Sequence, residues 1–338
     1  MLAYKIDKYD NILNLRMFDD VTNKTTSNTE GNNLSPEMKT YYDMQLIHIA
    51  GPLLVHDQFG QKRNIPKNGG KVIEFRKFSK LPKATTPLTE GVTPDGQALD
   101  VSTITSEVHQ YGGFIRLTDM LLMTAIDNTL LEAIDELGDQ AGRTGDTITR
   151  EVLNGGTNVQ YAEGQVSARN TLTSAMKLTV KAGKLAVRML KKQNAPKING
   201  EYVAIIHPDV AFDLTEDDKW IEWNKYTTPE KKFNGEIGKL DGVRYIETTE
   251  AKIFAGAGAD GVDVYSTLYL GANAYGVTSV EGGGLKTIIK QLGSGGTSDP
   301  LDQRATAGWK MVKTAERLVE QYMVRVETAS TFSDGEAN

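Results

Sequence analysis

Hydrophobic and polar positions alternate differently in successive stretches of the chain. The first 34 residues are polar, Asn23-Lys24-Thr25-Thr26-Ser27-Asn28-Thr29-Glu30 most of all. Such a stretch buries little and reads as a loose arm. Ser35-Pro36-Glu37 predicts a helix start, since Ser caps and Pro suits the first helical position. Tyr42, Leu46 and Ile49 share its face, and Gly51-Pro52 ends it. Lys71–Phe78 and Leu99–Tyr111 read as strands, with Ile104, Ser106, Val108 and Gln110 alternating in the way of a strand with little core beneath it. The connection between them carries Pro82, Pro87, Gly91, Pro94 and Gly96. It is far longer than the usual ~4–6 residues and reads as the tip of a projecting hairpin.

Leu117–Asn154 gives the strongest helical signal, with Ile126, Leu130, Ile134, Leu137, Ala141, Ile148 and Val152 on one stripe. Such a helix would be roughly 57 Å long, as long as a compact ball of this chain is wide, and so implies a flat or extended molecule. Gly138, Gly142 and Gly145 weaken it and suit a bend or a close neighbour. A second helix is predicted over Thr173–Gln193, with Leu178, Ala182, Leu185, Ala186 and Met189 inward and Lys and Arg mostly outward. Tyr202–His207 predicts a buried strand and Pro208-Asp209 a helix through Leu214. Strands follow at Val243–Thr248, Val262–Leu270, Ala274–Val280 and Leu285–Lys290, then a loop at Gly293–Asp299 and a last pair of strands in Trp309–Thr328. Without a regular βαβα order, the pattern predicts an α+β fold.

Composition narrows the function. There is no cysteine, which excludes disulfides, iron–sulfur clusters, thiolate zinc and a cysteine nucleophile. No apolar run approaches the roughly 18 residues of a membrane helix, and the N-terminal residues lack a secretory core. A net charge of −6 argues against a general nucleic-acid binder.

The motifs that carry chemistry are weak. Gly256-Ala257-Gly258-Ala259-Asp260-Gly261 spells the dinucleotide fingerprint, but a strand and not a helix follows, so a glycine turn is expected. Gly282-Gly283-Gly284-Leu285-Lys286-Thr287 is likewise a turn. Ser174-x-x-Lys177 lacks its partner motifs and is expected to be a plain helical turn with a solvated lysine. His48, His56, His109 and His207 have no metal-ligand spacing, and His207 is expected to be a structural, hydrogen-bonded imidazole. Asp260 and Asp263 lack a calcium-loop pattern. Trp220 and Trp223 are expected to pack. No catalytic, metal or cofactor residue is assigned, and no cofactor is expected.

The order of elements resembles the major capsid protein of tailed bacteriophages and prophages. Leu88-Thr89-Glu90-Gly91-Val92-Thr93-Pro94-Asp95-Gly96 resembles the tip of its extended loop, and Tyr111-Gly112-Gly113-Phe114-Ile115-Arg116-Leu117-Thr118-Asp119 the entry to its spine helix. His207-Pro208-Asp209 resembles the strand-to-helix turn of its axial domain. Gly235–Thr248 is similar to the family's Gly-x-Ile-Gly-x-x-x-Gly run before a central strand. The resemblance implies an N-terminal arm with a short helix (1–65), an extended β-hairpin loop (66–116), a spine helix and peripheral domain (117–200), an axial domain (201–292) and a return to the peripheral domain (293–338). It implies self-assembly into hexameric and pentameric capsomers of an icosahedral shell, made in the host cytoplasm. That shell would enclose DNA without sequence-specific binding or a membrane, with scaffold, decoration and portal proteins as further partners. No long N-terminal scaffolding segment and no crosslinking residue is matched. An encapsulin-like cellular cage is the nearest alternative, and a nucleotide-dependent enzyme using Gly256–Gly261 the more distant one.

Charge adds candidate contacts. Lys71, Arg76, Lys77, Lys80 and Lys83 face only Glu74 over 71–83, a net +4. Over 117–154, Asp119, Asp127, Glu132, Asp135, Glu136, Asp139, Asp146 and Glu151 face Arg143 and Arg150, a net −6. Charge runs of this kind are usually solvated faces, but the resemblance places each extended loop across a neighbour's spine region, which implies Arg76, Lys77, Lys80, Lys83, Glu90, Asp135, Glu136 and Asp139 as inter-subunit contacts.

Overall fold

The structure is a computed structural model that describes residues 44, 46, 48–50, 54–78, 81–88, 90–91, 93, 95–124, 129–224, 236–280, 283–295 and 299–338. The polar arm, the start and stop of the first helix, Ile126, and residues 296–298 of the late loop lie outside these residues. The chain divides into two compact units, one holding 110–143 and 283–311, the other 54–109, 144–282 and 312–338.

The larger unit is built on a seven-stranded mixed sheet. It comprises β5 (Val159–Tyr161), β6 (Tyr202–Ile206), β7 (Glu236–Leu240), β8 (Val243–Glu247), β9 (Ile253–Phe254), β10 (Val264–Leu270) and β14 (Met323–Thr328). The order is β5-β14-β10-β6-β8-β7, with β9 on β10. All five residues of β6 are buried because both faces of the sheet are covered. Tyr202, Ala204 and Ile206 meet Tyr265, Tyr269, Val324 and Val326 on one face. Val203 and Ile205 meet Leu268, Leu270, Met323, Val55 and Leu153 on the other. Each fully buried Leu, Ile or Val contributes roughly 1.5–3 kcal/mol.

Helix α3 (Val180–Lys192) covers the first face, capped by the Thr179 hydroxyl on Ala182 N–H. It begins seven residues later than the apolar spacing suggested. Ser174 and Lys177 therefore precede the helix, and Lys177 is no free surface lysine: its Nζ donates to Thr331 Oγ1 at 2.6 Å and pairs with Asp213 at 3.4 Å. The buried stripe is Val180, Ala182, Gly183, Ala186, Val187 and Leu190, so Leu185 and Met189 are only half-buried. A Cβ on Gly183 would sit 2.8 Å from the Tyr245 hydroxyl and 3.0 Å from that of Tyr269, which is why glycine lets the helix settle onto the sheet.

Helix α4 (Pro208–Thr215) follows β6 directly, with His207 Nδ1 accepting from Asp209 N–H at 3.3 Å as its cap. Burial lowers the pKa of this imidazole against the opposing pull of Asp209. The structural reading of His207 stands. Helix α5 (Asp218–Asn224) buries Trp220 edge-on to Tyr245, ring centroids 5.3 Å apart. Gly256–Gly261 is the expected turn between β9 and β10. Gly256 N–H donates to the Asp263 carboxylate at 2.7 Å, and a strand follows the turn where the fingerprint requires a helix.

In the smaller unit, β4 (His109–Thr118) and β12 (Lys286–Lys290) flank the first part of β13 (Arg304–Arg317). Leu117 and Thr118 were expected to open a helix but end β4, and the short α1 (Asp119–Thr124) starts only after them. Helix α2 (Thr129–Asn154) is 26 residues, about 39 Å. Gly138 takes Ile49 at 3.2 Å from where its Cβ would be, the close neighbour its glycines suggested. Trp309 Nε1 donates to Gln140 Oε1 at 2.9 Å, holding the inner side of β13 to the helix. The remaining residues of β13 pair with β11 (Tyr275–Val280) in the larger unit, and β11 carries β1 (Gln61–Ile65) as a parallel partner.

Candidate subunit-contact surfaces

The hairpin pairs β2 (Val72–Phe78) with β3 (Val101–Glu107) in antiparallel register, from Val72 opposite Glu107 to Phe78 opposite Val101. Its base is anchored more firmly than alternation suggested. Phe75 is buried beside Gly276, whose Cβ would fall 2.6 Å from its ring, and Ser106 Oγ lies 3.0 Å from Thr314 Oγ1. Apolar residues along the hairpin nonetheless lie bare among the described residues: Val72, at its base, is 55% exposed, and Leu99 and Leu88, beyond the paired strands, are 56% and 77% exposed. Arg76, Lys77, Lys83 and Glu90 are all exposed, and Lys80 lies outside the described residues. Arg63, Arg76 and Lys77 rim a cleft of about 250 Å³ floored by Phe75, Ile104 and Leu318, with the Arg63 guanidinium 5.6 Å from the Phe75 ring centre.

On α2, Glu136 is exposed and Asp135 and Asp139 half-buried, with Asp139 3.6 Å from Arg143 one turn on. These acids and the hairpin cations belong to different units. Two of the eight carboxylates in the acidic tally are not available to a docking face. Asp146 is fully buried, and Glu151 is tied to Arg150 and Lys252 at 3.0 and 2.8 Å.

Sequence reasoning missed the polar face of the second half of α2. There the buried residues besides Gly142 and Gly145 are Asp146, Thr149, Arg150, Leu153 and Asn154, while Ile148 and Val152 are only half-buried. Asp146 accepts from His56 N–H at 2.7 Å and meets its Nδ1 at 2.6 Å. Asp57 accepts from Thr149 Oγ1 and Lys313 Nζ, each at 2.5 Å, and Lys313 also donates to Gly145 C=O. Tyr275 hydroxyl donates to His56 C=O. The adjacent His56 and Asp57 thus grip α2 and β13 together. No local motif could have signalled this, because the partners lie 90 and more positions away. With His56 and Asp146 sealed from solvent, the pair is a structural clamp and not a dyad that a substrate can reach.

A second polar array holds residues 330–335. The Asp213 carboxylate accepts from Ser330 Oγ at 2.8 Å, Thr331 N–H at 2.9 Å and Thr331 Oγ1. Asp263 accepts from Ser333 Oγ at 3.0 Å and Gly335 N–H at 2.8 Å. Burial pushes both carboxyls up, but the donated hydrogen bonds prevail and hold both below the usual range. Among the described residues, no cluster of three or more His, Asp or Glu could hold a metal, and no helix is long and apolar enough to cross a membrane.

A hairpin with an anchored base and bare apolar flanks describes a part built for a neighbour. Residues 101–322 match the family described as phage capsid protein. The chain belongs to that phage capsid family. It is a structural, major capsid protein of the virion shell, with the mixed α and β fold expected of it. Among solved structures, its fold is similar to the capsid of Ralstonia phage GP4, at 14% identity and a TM-score of 0.64, covering 84% of this chain and 90% of that one. It is similar to the capsid of cyanophage Pam1 at 13% identity and a TM-score of 0.66, over 81% and 89% of the two chains. A virus-like particle from Pyrococcus furiosus shares the fold at 10% identity and a TM-score of 0.50, over 86% and 99%. The fold is therefore common to several kinds of shell, and the family match favours the viral capsid over a cellular cage. No curated protein matches the chain.

Proposed function

We propose that this capsid protein assembles into hexameric and pentameric capsomers that close as an icosahedral shell around a DNA genome, without enzymatic activity of its own. The observation that carries this reading is the hairpin. Its strands are fully paired and its base is packed, yet Val72, Leu81, Leu88, Leu99 and Val101 stay exposed. Copies of the same chain supply a cover, and head-to-tail contacts close into rings.

Within this reading the five regions implied by the family resemblance act as arm, extended loop, spine with peripheral domain, axial domain and return segment. Arg76, Lys77, Lys80, Lys83 and Glu90 of the loop and Asp135, Glu136 and Asp139 of the spine are its contact residues, the cations of one copy meeting the acids of the next. Exposed pairs are worth about 0–1 kcal/mol each, so their role is to steer encounter and set register around the ring. Synthesis in the host cytoplasm and the help of scaffold, portal and decoration proteins complete the proposal. Light scattering and electron microscopy of the purified chain, alone and with co-expressed neighbours of its gene, test it. Rings or shells are expected; a compact monomer under every condition overturns it.

A further inference from the structure

The outward face of β4, β13 and β12 has a regular layout. Antiparallel register sets Lys286 opposite Lys310, Ile288 opposite Gly308 and Lys290 opposite Thr306. On the other side of β13, a Cβ on Gly112 would lie 3.4 Å from the Lys310 Cβ, and one on Gly308 2.8 Å from the Phe114 Cβ. Strand alternation then brings Arg116 into the row of Thr306 and Lys290. The result is a central apolar row, Phe114–Gly308–Ile288. Lys310 and Lys286 line one side of it, Arg116 and Lys290 the other.

All four cations are exposed, and Phe114 is 61% exposed. No carboxylate occupies an outward position on β4, β12 or β13 from Arg304 to Lys310. Among the described residues Lys286, Lys290, Lys310 and Arg116 form no ion pair; Arg116 lies 5.4 Å over the Phe114 ring. The layout also has an internal cost. Lys286 and Lys310 are like charges directly across two strands, a destabilising pair, where a Glu at either site would make a favourable one. An anion lying over the pair reverses that sign.

We infer that this sheet face binds the phosphate backbone of nucleic acid without reading its sequence. The face offers four exposed cations along an apolar strip, with Thr306 as a neutral polar neighbour. It has no acceptor at an outward carboxylate to discriminate bases. Phosphate contacts of this kind are sequence-independent. The protein's net charge of −6 opposes a polyanion elsewhere on its surface, so binding per copy is weak and depends on many copies acting together. That the nucleic acid is a packaged genome rests on the capsid reading above.

Fluorescence anisotropy of the full-length protein with a short random-sequence duplex, over a salt series, tests the inference. Four phosphate contacts predict a log–log salt slope of about −3 to −4. Lys286→Gln/Lys290→Gln/Lys310→Gln should lower low-salt affinity by more than about tenfold and reduce the slope by about three. Lys184→Gln/Lys191→Gln, on the exposed side of α3, should change neither. If the triple variant misfolds by circular dichroism, Lys286→Gln alone should reduce the slope by about one. No binding at low salt, or unchanged affinity and slope in the folded variant, overturns the inference. So does a triple variant that keeps DNA affinity but no longer forms rings, since the face would then be a contact between copies. Shells formed by the triple variant leave the capsid reading intact whichever way DNA binding falls.

Discussion

His56 and Asp146 stand 2.6 Å apart, Nδ1 to carboxylate, across 90 positions of sequence, and the Asp146 carboxylate also takes the His56 backbone N–H. The two hydrogen bonds seal one end of the segment before β1 onto α2. Asp146→Ala leaves two buried donors unsatisfied and should cost about 1–3 kcal/mol. Chemical denaturation of the unassembled protein measures it. A loss below about 0.5 kcal/mol would mean that the segment is held by Asp57 and Lys313 instead.

Gly183 makes a sharper test of packing. Alanine at an interior helix position normally gains up to about 1 kcal/mol over glycine. Here its methyl group must displace the Tyr245 and Tyr269 hydroxyls, and overpacking costs about 1–3 kcal/mol. Gly183→Ala should therefore lower the thermal midpoint. Adding Tyr245→Phe, which removes the nearer hydroxyl, should recover most of the loss. A stabilised single variant would show that α3 can move off the sheet freely.

Asp213 and Asp263 give the hold on residues 330–335 a pH dependence of definite sign. Both carboxyls are depressed in the folded protein from the ordinary value of 3.8. Their stabilisation is thus complete above pH 3.8 and is lost as pH falls through the lower folded values. Hydrogen exchange at Thr331 and Gly335 should accelerate below pH 3.8 beyond the change in intrinsic rate. In Asp213→Asn/Asp263→Asn it should be fast already at neutral pH. Equal protection in the variant and the native chain at pH 7 would remove the carboxylates from this role.

Opposite charges on the hairpin and α2 predict an effect on kinetics. Arg76→Glu/Lys77→Glu/Lys80→Glu should slow assembly by about tenfold at low salt while the subunit stays folded, with the difference shrinking as salt screens it. Reversing Asp135, Glu136 and Asp139 to Lys in the same chain should partly restore the rate. Normal assembly of the triple reversal at low salt, followed by light scattering, would leave these charges as ordinary solvated surface.

The strands were legible where both sheet faces are apolar. Tyr202–Ile206 and Val264–Leu270 stand where near-continuous hydrophobic runs placed them. Helix limits were legible where a cap marks them, as at His207-Pro208, and misplaced where apolar spacing alone was followed. Leu178 extends the helical spacing of α3 backwards, but it is packed from an irregular segment that Thr179 separates from the helix. Leu117 likewise fits a helical stripe while being the buried inward residue of β4. The α2 stripe failed after Ala141 because its buried partners there are polar, and a search for apolar periodicity passes over Asp146, Thr149 and Arg150. The basic sheet face was invisible for another reason. Arg116, Lys286, Lys290 and Lys310 lie in three separate stretches, each unremarkable alone, and become neighbours only through strand register.

Strand β14 lies inside the larger sheet, between β5 and β10, although its residues are 323–328. Arg325–Glu327 pairs with Val159–Tyr161, so closing this ladder joins stretches more than 160 residues apart. Such long-range pairing is slow, and it cannot begin until β14 has left the ribosome. Until then β5 lacks its ladder partner and β10 has only β6 and β9 to hold it. A nascent chain therefore stays an unfinished building block until this late strand arrives. The order of synthesis thus keeps the larger sheet incomplete until residues 323–328 have emerged.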